Sequence, residues 1–105
     1  MEKHNTILLE TLAECSSECN RCISACLGEV DVKMMADCIK IDMDCAQFCS
    51  LTAAFVARNS DHAIHLLNEC AEICTKCAEE CGKHPHDHCQ RCAEMCRKCA
   101  AACRQ

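Results

Sequence analysis

Sixteen cysteines recur along this chain at steps of three and four residues, a spacing that constrains the fold more than any other feature. They are Cys15, Cys19, Cys22 and Cys26; Cys38, Cys45 and Cys49; Cys70, Cys74, Cys77 and Cys81; and Cys89, Cys92, Cys96, Cys99 and Cys103. Side chains three and four apart share one face of an α-helix, so each run draws a stripe of sulfur down a single helix face. Strand-type alternation runs nowhere for a useful length. The stripes fall where a bundle helix presents its core. The chain therefore either uses thiol as a small hydrophobe or lines its interior with donors for something that binds sulfur.

A cysteine content of 16 in 105 residues would ordinarily suggest a secreted disulfide scaffold. Such scaffolds are loop-rich, whereas this chain has two glycines, one proline and long helix-forming stretches of Ala, Glu, Leu and Lys. The start, Met1 to Thr6, lacks a basic segment followed by an apolar stretch of signal-peptide length, and no apolar run is long enough to span a bilayer. These features predict a cytoplasmic protein that does not enter a membrane. In that compartment thiols stay reduced and clustered cysteines signal metal. The formal charge of −5 and the lack of a basic stripe exclude nucleic acid as a partner, and only Phe48 and Phe55 are aromatic.

The length suits one domain, residues 1–105, with a modest core. Punctuation divides it into four helices. The first runs from about Thr6 to Leu27 and stops at Gly28, a natural residue just past a helix end. Asp31 can cap the second, which continues to about Ala57 before the break at Asn59, Ser60 and Asp61. Ser60 or Asp61 opens the third, which ends at Gly82. The segment Lys83 to Asp87 turns the chain, Asp87 with Gln90 has the form of a capping box, and a fourth helix runs to about Cys103. Short connections between amphipathic helices predict an all-α fold, an antiparallel up-down-up-down four-helix bundle with a cysteine-lined core.

In that arrangement the sulfur stripes converge toward the end that carries the Gly28 and Gly82 loops. The opposite end is expected to be hydrocarbon. Leu8 and Leu12 extend the first stripe backward, Phe55 and Val56 close the second helix, and Ile64 and Leu67 open the third. The bundle is thus expected to hold a sulfur-lined compartment sealed by a dry plug.

Seven Cys-x-x-x-Cys pairs account for fourteen of the sixteen cysteines. Residues four apart on a helix have Cβ atoms about 5–6 Å apart, so two thiolates can reach one ion from opposite sides. A disulfide needs its Cβ atoms at about 3.8 Å, which a helix does not offer such a pair. Soft thiolates select Cu(I), Zn(II) or iron–sulfur clusters. Cu(I) accepts two sulfurs near-linearly, zinc wants four in a tetrahedron, and iron–sulfur motifs wrap a loop around the cluster. Isolated thiolates would bury many negative charges, and one monovalent ion per thiolate neutralises them. The expected load is therefore multiple Cu(I) ions per chain, between about eight and about sixteen. Thiol packing alone gains nothing over alanine, valine or leucine. A zinc-binding or reversible thiol-redox protein is the alternative.

With these stripes on all four helices, the segment Met35–Cys49 and the stretch Glu80–Cys89, the chain resembles the cytosolic class of bacterial copper storage proteins over nearly its full length. The resemblance implies four-helix bundles that assemble as tetramers and hold many Cu(I) ions in cysteine-lined cores for copper homeostasis, without catalysing a reaction. Copper donor and acceptor proteins are the implied partners. Some relatives carry further cysteines near the plug, where this chain has Leu8 and Leu12.

Beyond the sixteen cysteines, the candidate ligands are His84, His86 and His88, in the loop between the third and fourth helices, and Met35. Imidazole and thioether exchange Cu(I) more readily than buried thiolate pairs do, so these residues would form a mouth where copper enters and leaves. Met34 and Met35 are placed on the inward side one turn before Cys38, with core filling as their plainer role. Met43 falls out of phase and is expected at the surface, as are His4, His62 and His65. Asp42 occupies an inward step of the second stripe, where a polar contact near the mouth is expected. Glu14, Glu18, Arg21, Glu72, Lys76, Glu79, Arg91, Glu94 and Lys98 fall between the cysteines as a solvated face. No nucleophile–base constellation stands out, and the chain is not expected to be an enzyme.

Overall fold

The computed structural model describes residues 3–105, with side chains described from Asn5 onward, so His4 lies outside the described side chains. Four helices follow one another: α1 (Lys3–Leu27), α2 (Ala36–Ala57), α3 (Ala63–Cys81) and α4 (Asp87–Cys103), with a 3₁₀ turn at Val32–Met35 before α2. Each helix packs on its two neighbours in a closed ring, α1 on α2 and α4, α3 on α2 and α4. The diagonal pairs face each other across the core without backbone contact among the described residues. The result is the expected antiparallel bundle, drawn out to 44 × 20 × 18 Å.

The helix ends differ from the sequence reading in how they are satisfied. No glycine adopts a positive φ, so Gly28 closes α1 through an ordinary turn, its N–H donating to the Ala25 carbonyl at 3.1 Å. At Gly82 a Cβ would lie 2.9 Å from the Ala78 carbonyl, so this site needs close approach rather than left-handed freedom. Among the described residues the left-handed one is Asn59, with φ 54°. There Ser60 N–H bonds to Phe55 O and Asn59 N–H to Val56 O, both at 3.0 Å, which satisfies two carbonyls at the end of α2. Asp31 makes no side-chain cap, and its carboxylate points instead at His86. The Asp87–Gln90 capping box does not form: His86 is the N-cap, and the Gln90 amide donates to the carbonyls of Gly82 (3.2 Å) and His84 (2.7 Å). Those loop carbonyls lack a helical partner and take the amide that the box would have used.

Small residues flank the sulfur stripes and let the helices close up. Ala46, Ala71, Ala78, Ala93 and Ala100 are buried, and Ser16 on α1 donates to the Ala46 carbonyl of α2 at 2.8 Å while pairing with Ser50 at 2.9 Å. At the far end Leu8, Leu12 and Val56 are buried and Leu67 packs against them. Ile64 does not join this plug: it is 57% exposed, because Ala63 and Leu67 take the inward positions at the start of α3. Phe55 is half-buried at the rim, where the Arg58 guanidinium lies 4.9 Å from its ring centre. Among the described residues no helix is long and apolar enough to cross a membrane.

Candidate metal centre

All sixteen cysteines face inward. Fifteen have no exposed surface and Cys103, nearest the plug, has 5%. Every one is a free thiol. Within one helix, partners four apart sit 3.8 Å (Cys22–Cys26), 3.9 Å (Cys77–Cys81) and 4.0 Å apart (Cys45–Cys49, Cys70–Cys74 and Cys92–Cys96), measured between sulfurs. Sulfurs on different helices come as close: Cys19–Cys96, Cys45–Cys74 and Cys49–Cys70 at 3.7 Å, and Cys38–Cys81 at 3.2 Å. The pairs read from sequence are therefore edges of larger groups assembled between helices. Even the closest contact is far beyond the roughly 2.05 Å of a disulfide bond.

The groups share vertices along the bundle axis. At the loop end Cys22, Cys26, Cys38 and Cys89 form a four-sulfur group whose ligand atoms all lie within 4.8 Å of one another. Cys38 and Cys89, the two cysteines outside any Cys-x-x-x-Cys pair, are completed here across the helices. Cys22 also belongs to a group with Asp42, Cys81 and Cys92; Cys92 to one with Cys19, Cys77 and Cys96; Cys19 and Cys96 to one with Cys15 and Cys45; and Cys15 to one with Cys49, Cys74 and Cys99. Cys70 continues the series, 3.7 Å from Cys49. Donor sets thus run unbroken from the loops to the plug, and a thiolate shared by two sets can bridge two ions.

Among the described residues Asp42 is the one carboxylate in this interior. It is fully buried and contacts thiols rather than a mouth histidine, accepting from Cys77 at 3.1 Å and from Cys81 and Cys92 at 3.2 Å. Burial pushes its pKa from 3.8 to about 7. Burial likewise raises the thiols at the loop end: Cys26 is held above its ordinary value and Cys89 is pushed up to about 12. These thiols are protonated at neutral pH, so a metal that takes them must release protons.

The loop histidines separate into two kinds. His88 Nδ1 faces the sulfurs of Cys22 (3.5 Å), Cys26 (3.8 Å) and Cys89 (3.5 Å), and its Nε2 lies 2.8 Å from Glu29 Oε2. His86 stacks on His88, with ring centres 5.3 Å apart, and lies between Glu29 (3.5 Å) and Asp31 (3.6 Å). His84 pairs with Glu80 on the flank of α3 at 3.0 Å. The structure brings His88 alone of the three to the thiols. Met35 is fully buried with them, whereas Met34 is 73% exposed because the 3₁₀ turn rotates it outward. Met43, His62 and His65 are exposed, as expected. The sequence reading missed Glu29 and Glu80, which lie outside the stripes and offer no periodic signal, and the buried Thr52 hydroxyl, which has no hydrogen-bond partner.

A four-helix bundle whose interior is one continuous run of reduced thiol donors, open to imidazole at one end, defines a multinuclear metal–thiolate container. The sequence profile of the copper storage protein family matches residues 1–105, and the chain belongs to that family. A solved Cu(I)-bound copper storage protein, BsCsp3, superposes with a TM-score of 0.93 at 37% identity, over 97% of this chain and 96% of that one. A cytosolic copper storage protein from Streptomyces lividans carrying five coppers gives a TM-score of 0.93 at 37% identity, over 97% of this chain and 90% of that one. An uncharacterized cysteine-rich protein of Bacillus subtilis, YhjQ, is 38% identical over 90 residues, 86% of this chain and 83% of its own length.

Proposed function

We propose that this protein stores Cu(I) in the cytoplasm, holding multiple ions per chain on its sixteen core thiols. The carrying observation is the run of four-donor groups that share Cys22, Cys92, Cys19, Cys96 and Cys15. Shared sulfurs let adjacent ions be bridged, so the load approaches one ion per thiolate rather than one per isolated site. The copper-bound relatives support the choice of ion. Asp42 supplies an oxygen donor within one group, and His88 Nδ1 a nitrogen donor at the loop end. His84 and His86 serve the mouth by shaping it, held by carboxylates rather than by thiols, and Met35, buried with the cysteines, adds a thioether there. Loading occurs from the loop end, where His88 Nδ1 faces Cys22, Cys26 and Cys89, while Leu8, Leu12 and Val56 fill the core at the other end. In this reading the protein is a store rather than an enzyme, and its thiols act as buried metal donors.

Counting reactive thiols before and after anaerobic addition of Cu(I) or Zn(II) tests this reading. Storage predicts that Cu(I) masks nearly all sixteen thiols. Zinc takes four thiolates per tetrahedral ion, so a zinc protein would saturate at about four ions. A homotetramer is the proposed assembly. The exposed side chains of Met43 and Leu51 on α2, beside half-buried Phe48 and Ile73, offer an apolar face for it. Light scattering of the wild type and of Leu51→Glu checks this assignment.

A further inference from the structure

We propose that Glu29 is a positioning residue that fixes the tautomer of His88 and so aims a free nitrogen lone pair at the thiols of the mouth. This inference rests on the storage reading above for its consequence, though not for its geometry. An ionised carboxylate has no proton to give, so the 2.8 Å contact between Glu29 Oε2 and His88 Nε2 requires the imidazole to donate from Nε2. In a neutral ring the other nitrogen then carries the lone pair. That nitrogen, Nδ1, is the one facing Cys22, Cys26 and Cys89. The opposite tautomer would leave Nε2 without a proton for Glu29 and turn an N–H toward the sulfurs, closing the mouth to a cation.

The surroundings hold this orientation. His86 stacks on the His88 ring with an interplanar angle of 6° and is itself flanked by Glu29 and Asp31. The carboxylate reaches the ring from the α1–α2 connection while His88 stands on the first turn of α4, so one contact also ties together the two loops that bound the opening. Carboxylate partners of this kind raise the basicity of a ligating histidine, and their loss typically costs ten- to a hundredfold in metal affinity or activity.

The test has two arms. In the reduced, metal-free protein, long-range proton–nitrogen NMR of His88 is expected to show the neutral ring protonated at Nε2. Glu29→Leu is expected to populate the other tautomer, and Glu29→Gln, whose amide oxygen still accepts, to restore Nε2–H. In the second arm, Cu(I) is presented on a weak chelator and transfer of the first ion is followed by stopped flow. Glu29→Leu is expected to slow it about tenfold and Glu29→Gln to recover most of the rate. A purely structural loosening of the loops would open the mouth and speed transfer. The proposal is overturned if His88 in the wild type is an imidazolium or carries its proton on Nδ1, or if Glu29→Leu leaves tautomer or rate unchanged or speeds transfer. If no variant, wild type included, takes up Cu(I), the storage reading fails, while the NMR arm still decides the tautomer.

Discussion

Two regions of one stripe meet in α1. Leu8 and Leu12 point into the core at one end, and Cys15, Cys19, Cys22 and Cys26 continue the same inward face to the other. Helix phase places both sets, and burial is equally complete in each. What differs is the atom at the tip. Methyl groups exclude water and seal the bundle, whereas the thiols can exchange a proton for a metal ion. Fold and function are therefore written in the same positions by different properties: periodicity directs the side chain inward, and its chemistry decides whether the interior is filler or container.

Four substitutions would break or sharpen that contrast. The largest effect is expected from the carboxylate buried among the thiols. Asp42 keeps its proton in the folded metal-free protein up to about pH 7, whereas unfolded chain loses it near 3.8. The unfolded state thus binds fewer protons across that window, and folding stability falls as pH rises through it, by up to about 4 kcal/mol. The contribution is complete below about pH 4 and gone above about pH 7; Asp42→Asn is expected to flatten the profile, read by urea denaturation from pH 4 to 8.

In the plug, Leu12→Ala is expected to cost about 3 kcal/mol of metal-free stability, with the copper capacity of the sulfur compartment retained. Cys99→Ala is expected to invert this pattern. Its stability cost is about 1 kcal/mol, and the capacity measured by chelator competition falls by about one ion. If Leu12→Ala lowered capacity as much as Cys99→Ala, the division between seal and container would fail. The smallest effect belongs to Thr52, one turn beyond Cys49 on the α2 stripe, whose hydroxyl is buried without a partner. Thr52→Val replaces it with a methyl of the same shape and is expected to stabilise the metal-free protein by about 1 kcal/mol in thermal unfolding.

The bundle, its four helices and the inward direction of every cysteine were legible in the sequence because they follow from one strong period. The helix ends were less so. Gly28 and Gly82 do end their helices, but the left-handed turn among the described residues falls at Asn59, and Gln90 left its predicted capping box for loop carbonyls that only the folded chain brings near. Ile64 carried the right hydrophobicity on the wrong phase. At the site, spacing revealed the pairs but not the cross-helix sulfurs at equal distance, since the rotation of one helix against another is set by the small Ala and Ser flanks rather than by the stripe itself. Nor could spacing separate His88 from His84 and His86. That distinction comes from where α4 begins, which aims one ring inward and leaves its neighbours to the carboxylates of Glu29, Asp31 and Glu80.

The continuous run of shared thiol groups is most directly tested by an anaerobic Cu(I) titration against a chelator of known affinity, with free thiols counted at each point. Between about eight and about sixteen ions per chain, with all sixteen thiols masked at saturation, is the predicted result. Saturation at one or two ions, with most thiols still reactive, would contradict it.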